Sequence, residues 1–76
     1  MSPQKLMREL GQMLDREWDD WSLGETSGGH VKITLRHKGA SRSVVVAKTP
    51  SDERRFLNNA RRDVREELAI LKGLQQ

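Results

Sequence analysis

The stretch that decides the fold is Gly28-Gly29-His30-Val31-Lys32-Ile33-Thr34-Leu35-Arg36-His37. Apolar and polar residues alternate along it, which is typical of a β-strand with one face on a hydrophobic core. The predicted core face carries Val31, Ile33 and Leu35, and the predicted outer face carries His30, Lys32, Thr34 and Arg36. Because glycine adopts positive φ without strain, the glycine pair predicts a tight turn before a strand over 30–37.

A helix and a short strand are predicted before this stretch. The helix spans about 3–18, because apolar residues recur there at three- and four-residue spacing: Leu6, Leu10, Met13, Leu14 and Trp18. The strand spans about 21–26 and leads into the glycine turn. Nucleic-acid-binding proteins use rings such as Trp18 and Trp21 as stacking platforms, but both continue apolar patterns, which favours burial in the core.

A strand and a long helix are predicted after it. The strand spans about 42–48 around the β-branched run Val44-Val45-Val46. The segment Thr49-Pro50-Ser51-Asp52 is typical of a helix start, with Thr49 as the cap and Pro50 at the first helical position. The helix spans about 50–72, and its apolar residues at helical spacing are Phe56, Leu57, Ala60, Val64, Leu68 and Leu71.

Together these elements predict one domain, 1–76, of the α+β class with the order αβββα. Short turns cannot join parallel neighbours, so the three strands form an antiparallel sheet. Both helices need one sheet face on which to bury their apolar stripes, and we predict that they pack on the face of Val31, Ile33 and Leu35. The other face is left to solvent or a partner. A three-stranded open sheet leaves two edges, so a homodimer through an exposed strand edge is a further prediction, with the first and third strands both open as its place.

Composition excludes several classes of protein. The 76 residues include no cysteine, so no disulfide framework and no thiolate site is possible. No apolar run is longer than the four residues of 44–47, which predicts no membrane helix and no signal-peptide core. A cytoplasmic protein with no membrane partner is therefore expected.

Charge is distributed unevenly along the chain. Residues 1–29 carry three Lys/Arg and six Asp/Glu, whereas residues 30–76 carry eleven Lys/Arg and five Asp/Glu. A basic half of this kind is typical of a protein that binds a polyanion such as RNA. It is equally typical of a solvated surface rich in arginine.

Candidate chemistry centres on His30. No Ser–His–Asp arrangement is predicted, because no serine sits in a strand-to-helix elbow. His30 and His37 fall on opposite strand faces and do not make a metal pair. The sequence also has no phosphate-binding glycine loop. No metal and no cofactor is predicted. A histidine flanked by cations is suited to take a proton from an RNA 2′-OH or to give one to the leaving 5′-oxygen. The competing interpretation is a surface histidine in a hairpin with no catalytic role.

The element order, with Gly28-Gly29-His30 opening the second strand, resembles the HicA family of toxin ribonucleases. Those proteins share the fold of double-stranded RNA-binding domains, and a glycine, a small residue and a catalytic histidine are their hallmark at this place. The resemblance implies an mRNA interferase that cleaves RNA without a metal, with His30 catalytic. The stretches 49–52 and 59–65 and the long, arginine-rich final helix are instead similar to small phage-encoded proteins.

Two function classes remain open at the sequence level. The first is RNA binding, with or without endoribonuclease activity, in which His30 transfers the proton. The predicted RNA-binding residues are Gly28, Gly29, Lys32, Thr34, Arg36, Arg54, Arg61 and Arg65. The second is a non-catalytic protein of the phage or toxin–antitoxin type that binds a protein partner, either an antitoxin or a host target.

Overall fold

The computed structural model describes residues 3–48 and 51–74. The five elements are, in chain order, α1 Pro3–Glu17, β1 Trp21–Glu25, β2 His30–His37, β3 Ala40–Ala47 and α2 Glu53–Leu74. The strands form one antiparallel sheet in the order β1-β2-β3. The predicted α+β class and αβββα order are therefore confirmed.

The register of the sheet places residues of like pattern on the same face. Ile33 in the central strand lies opposite Leu23 of β1 and Val44 of β3. The β2–β3 turn contains only Lys38 and Gly39, which have φ values of 49° and 85°. Positive φ at both positions defines a type I′ turn, whose twist matches that of the paired strands. This tight turn explains why β3 begins at Ala40, two residues before the predicted start.

The core lies between one sheet face and the two helices. Its fully buried side chains come from every layer, with Leu10 and Leu14 on α1, Ile33 and Leu35 on β2, and Val64 and Leu71 on α2. The same cluster contains Leu6, Met13, Val31, Val44, Phe56, Ala60 and Leu68. Both helices thus bury their apolar stripes against the same sheet face, as predicted.

Helix α2 starts later than predicted, and a different residue caps it. The helix begins at Glu53. Asp52 is the cap, because its Oδ1 accepts from the Arg55 N–H at 3.1 Å and its carbonyl accepts from the Phe56 N–H at 2.9 Å. The predicted cap Thr49 and the predicted first helical residue Pro50 lie outside the described residues. The aspartate three residues after Thr49 therefore caps the helix itself.

The two tryptophans take structural positions. Trp18 and Trp21 are half-buried and pack against the core. The Trp18 indole N–H donates to the Arg36 carbonyl at 2.8 Å, and that of Trp21 donates to Asp15 Oδ1 at 2.9 Å. Each ring joins α1 to the sheet, which agrees with the prediction of a core role.

Candidate nucleic-acid interface

The sheet has one face that no helix covers, and we call it the outer face. Its members follow from the register and alternate with the core residues. They are Ser22 and Gly24 of β1, His30, Lys32, Thr34 and Arg36 of β2, and Ser41, Ser43, Val45 and Ala47 of β3. The structure therefore brings the four predicted polar residues of β2 onto one surface.

On the outer face, the long side chains of the central strand β2 have smaller side chains beside them in β1 and β3. Lys32 lies between Gly24 and Val45, and Thr34 lies between two serines. Successive members of the row are about 7 Å apart, because each residue of a strand rises 3.2–3.4 Å. Small flanking side chains leave the long cationic side chains of the row accessible from solvent. A flat or extended polyanion can therefore approach the row from either side.

His30 opens the row at the end of the β1–β2 hairpin. Its backbone is fixed by Thr26: the Thr26 N–H donates to the His30 carbonyl at 2.9 Å, and the His30 N–H donates to Thr26 Oγ1 at 3.2 Å. Its side chain is exposed. Within residues 3–48 and 51–74, neither imidazole nitrogen has a hydrogen-bond or ion-pair partner. The main chain is thus held while both ring nitrogens stay open to a ligand.

The two glycines before His30 have different physical roles. Gly29 has φ +81° and its N–H donates to the Thr26 carbonyl at 3.1 Å, so this turn position favours glycine. A Cβ on Gly28 would lie 3.6 Å from His30 Nδ1. Its absence leaves that side of the imidazole uncovered. The predicted Gly-Gly-His unit is therefore a turn that presents an open imidazole.

The two cations of the row differ in how they are held. Arg36 Nε lies 3.1 Å from Asp20 Oδ1, and its Nη1 donates to Ser22 Oγ at 3.2 Å. Lys32 is exposed and has no ion-pair partner in the described part of the chain. Arg36 is therefore oriented and partly neutralised, whereas Lys32 carries an uncompensated charge. Sequence reasoning did not identify Asp20 as a partner, because only the register reveals that it meets Arg36.

The helix arginines lie on a different surface from the β2 row. Arg65 makes a two-pronged ion pair with Glu17 of α1, including an Nη2-to-Oε2 hydrogen bond of 3.2 Å. Arg61 and Arg54 are four and eleven residues earlier, so helical spacing places them on the same flank of α2. We call Arg54, Arg61 and Arg65 the α1-side flank. Because the helices cover the opposite sheet face, these arginines do not join His30 and Lys32.

The Glu17–Arg65 pair changes the electrostatics of both partners. The hydrogen bond from Arg65 lowers the pKa of Glu17, with burial opposing the shift and the charges of Arg65 and Arg61 adding to it. The same hydrogen bond raises the pKa of Arg65. The α1-side flank therefore contains an internally compensated contact between the two helices.

A metal centre has no support in the described residues. Residues 3–48 and 51–74 contain no group of three or more His, Asp or Glu able to hold a metal ion. His37 lies on the core side, where its ring meets Trp18 edge to face with centroids 5.3 Å apart. The two histidines are thus on opposite sheet faces, as predicted. No helix in these residues is long and apolar enough to cross a membrane.

Comparisons with known proteins do not assign the chain to a family. No protein-family model, curated protein or solved structure matches it significantly. The functional argument therefore rests on the geometry of the outer face.

Proposed function

We propose that the protein binds RNA through the outer face and cleaves it without a metal ion, as a HicA-like ribonuclease would. One observation carries the proposal: an exposed imidazole without a partner in the described residues begins a row that continues with the uncompensated charge of Lys32. Histidine exchanges protons near neutral pH, and phosphates favour cations. The row therefore combines a proton-transfer group with phosphate binders.

The proposed reaction uses the RNA 2′-OH as the nucleophile. The His30 imidazole accepts the 2′-OH proton while the 2′-oxygen forms a bond to the adjacent phosphorus. The bond from phosphorus to the 5′-oxygen then breaks, and the imidazolium returns a proton to that oxygen. The products are a 2′,3′-cyclic phosphate and a 5′-hydroxyl. Because the nucleophile is the 2′-OH, the substrate is RNA and DNA is not cleaved.

The remaining row residues hold the phosphates in this proposal. Lys32 is two residues from His30 on the same face, so its ammonium stabilises negative charge that builds on the reacting phosphate. Arg36, oriented by Asp20, binds a phosphate further along the strand. Thr34 lies between Lys32 and Arg36, and its hydroxyl donates a hydrogen bond to an oxygen of the RNA backbone. The Gly28-Gly29 turn keeps the approach to His30 open.

RNA binding is tested by comparing Lys32→Glu with Arg8→Glu. Both changes lower the net charge by two, but Arg8 is an exposed residue on α1 and lies away from the outer face. We expect Lys32→Glu to weaken binding to a labelled single-stranded RNA by at least about tenfold at low salt, and Arg8→Glu to weaken it much less. Affinity is measured by fluorescence anisotropy over a range of salt concentrations.

Two results would overturn the RNA proposal. Equal weakening by both substitutions would indicate a response to net charge rather than a site on the outer face. No RNA binding by the parent protein at low salt would exclude a phosphate-binding face. The non-catalytic, protein-binding function would then be the better account.

A further inference from the structure

A small cleft lies between α1 and α2. Its volume is about 250 Å³, and it is lined by Met13, Arg16, Glu17, Arg61 and Arg65. The three lining residues of α1 are three and four residues apart, and the two of α2 are four apart, so each set shares one helix face. The packing of the helices therefore brings three arginines and one glutamate to the same place.

The positive charge of this cleft exceeds its negative charge. Glu17 is the carboxylate among the lining residues, and it pairs with Arg65. Arg16 and Arg61 make no ion pair and no side-chain hydrogen bond within residues 3–48 and 51–74. Two guanidinium charges in the cleft are therefore uncompensated.

The acidic residues that follow these arginines along α2 do not supply the missing charge. Asp63 Oδ1 lies 3.6 Å from Nε of Arg62, its neighbour in the chain. Glu66 lies one helical turn after Arg62, and both line the adjoining surface of α2. Neither Asp63 nor Glu66 lines the cleft. The excess of positive charge is thus specific to the space between the helices.

Other ion pairs of the described residues match one cation with one carboxylate. They are Arg36–Asp20, Arg42–Glu67 and Lys48–Glu25. In the cleft, by contrast, Arg61 and Arg65 are four residues apart on one helix, and like charges at that spacing repel each other. A bound anion would relieve this repulsion.

The charge of Arg61 acts within the cleft. Its side chain is half-buried, so it is held against the protein rather than extended into solvent. The pKa of Glu17 is lowered first by the hydrogen bond from Arg65, against the effect of burial, and further by the charges of Arg65 and Arg61. Arg61 therefore interacts with an anion at this place without a hydrogen bond to it.

A phosphate group with two negative charges matches this arrangement. A phosphate monoester carries about −1.5 to −2 charge at neutral pH, and guanidinium groups bind phosphate oxygens through paired hydrogen bonds. RNA phosphates and peptide carboxylates carry one charge for each residue and are spread along a chain. Because the uncompensated charges meet at one place, the cleft favours a single compact dianion over an extended polyanion.

We propose that the cleft between α1 and α2 binds the dianionic phosphate group of a small molecule, either free phosphate or a phosphate monoester. Arg16 and Arg61 hold its oxygens from the two helices, and Arg65 adds the Nη1 group that Glu17 does not engage. The carboxylate of Glu17 repels the phosphate and so limits its affinity. The site is separate from His30 and does not rest on RNA binding.

The probes are inorganic phosphate, methyl phosphate and dimethyl phosphate, titrated into ¹⁵N-labelled protein at low salt and a pH of about 8. Binding is followed by NMR, from the backbone amides and the Nε–H groups of the cleft arginines. We expect saturable shifts with a dissociation constant of about 1 mM or lower for inorganic or methyl phosphate. Dimethyl phosphate, a monoanion, should bind at least about tenfold more weakly. The tighter of the first two probes identifies the source of the phosphate group.

A pair of arginine variants locates the site on the chain. Arg61→Gln is expected to weaken binding of the tighter probe by at least about fivefold, because it removes an uncompensated charge from the cleft. Arg55→Gln makes the same charge change at an exposed position of the same helix that does not line the cleft, and should leave binding within about twofold.

Replacing the glutamate of the cleft should have the opposite effect. Glu17→Gln removes the repelling carboxylate and is expected to strengthen phosphate binding by about fivefold. Asp19→Asn, at an exposed acid just after α1, should change it by less than about twofold. His30→Ala and Lys32→Glu should leave phosphate binding unchanged, so failure of the RNA proposal would not affect this one.

Four results would overturn the phosphate site. They are no saturable binding of inorganic or methyl phosphate, equal binding of dimethyl phosphate, equal weakening by Arg61→Gln and Arg55→Gln, and no gain in affinity with Glu17→Gln. Circular dichroism of each variant confirms that a change in binding does not reflect unfolding.

Discussion

At the scale of single residues, the contact between Glu17 and Arg65 makes stability depend on pH. Because the folded-state pKa of Glu17 is lowered, its contribution is present above the ordinary carboxyl value of 4.5 and is lost as pH falls through the folded value. We expect the melting temperatures of the parent and Glu17→Gln to differ near neutral pH and to converge below 4.5. Thermal unfolding followed by circular dichroism measures both. A difference that stays constant down to pH 3 would contradict this account.

Lys38 is a residue whose replacement should stabilise the protein. Its φ of 49° is in the left-handed region, which costs a non-glycine residue about 1–2 kcal/mol. Asparagine adopts this conformation more readily and suits the first position of a type I′ turn. Lys38→Asn should raise the free energy of unfolding by about 0.5–1 kcal/mol in urea titrations. Lys38→Val, as the opposite control, should lower it, and the reverse order would be evidence against the turn assignment.

Rules based on neighbouring residues in the chain predicted the role of some residues and not of others. The Gly28-Gly29 turn and the exposed side of His30 were predictable, because positive φ and strand alternation depend on neighbours in the chain. The sequence predicted the segment in which α2 starts but not the residue that caps it, because Thr49 and Asp52 are both good caps. The hydrogen bond from the Arg55 N–H to Asp52 distinguishes them. The Asp20–Arg36 contact depends on register between strands, which the sequence does not state.

At the scale of elements, β2 and α2 both present cations to solvent, but on opposite sides of the sheet. We expect Lys32→Ala to reduce the slope of log affinity for single-stranded RNA against log salt by about 0.7, the value for one lost phosphate contact. Arg61→Ala on the α1-side flank should leave that slope unchanged and should keep the low-salt affinity within about twofold of the parent's, because the sheet separates Arg61 from the outer face. Arg61 is preferred to Arg65 because Arg65 also holds Glu17. A larger loss with Arg61→Ala would extend the RNA site to the helices.

The periodicity of apolar residues predicted the helices and strands, but it predicted only part of how they are placed relative to one another. A period of two residues assigned both faces of β2 correctly, and helical spacing grouped Arg54, Arg61 and Arg65. It did not show which flank of α2 faces α1. That depends on packing: Arg65 reaches Glu17 on one side and Glu67 reaches Arg42 on the other. These contacts place the α1-side flank away from β3.

At the scale of the whole molecule, one core stabilises the fold. Leu14 of α1 is fully buried in this core. Leu14→Ala should cost about 2–5 kcal/mol, a large part of the total for so small a domain. Val45→Thr on the outer face is the control and should change stability by less than about 0.5 kcal/mol. Urea unfolding measures both, and similar effects of the two substitutions would contradict the assigned core.

The uneven charge of the chain has a structural explanation that composition alone did not supply. Acidic residues of the first third meet basic residues of the remainder, in the pairs Glu17–Arg65, Asp20–Arg36 and Glu25–Lys48. Much of the basic charge is therefore compensated within the fold. Lys32 remains uncompensated among the described residues of the outer face, which is why the proposed RNA site depends on it.

RNA cleavage by the parent and by a folded His30→Ala variant is the most direct test of the central claim. The substrate is an end-labelled RNA, compared with its 2′-O-methyl version, with and without a metal chelator. We predict that the parent cleaves the unmodified RNA and not its 2′-O-methyl version, and that the chelator does not change the rate of cleavage. The His30→Ala variant should cleave at a rate at least about 100-fold lower. Equal cleavage by both proteins, or none by the parent, would contradict a catalytic role for His30.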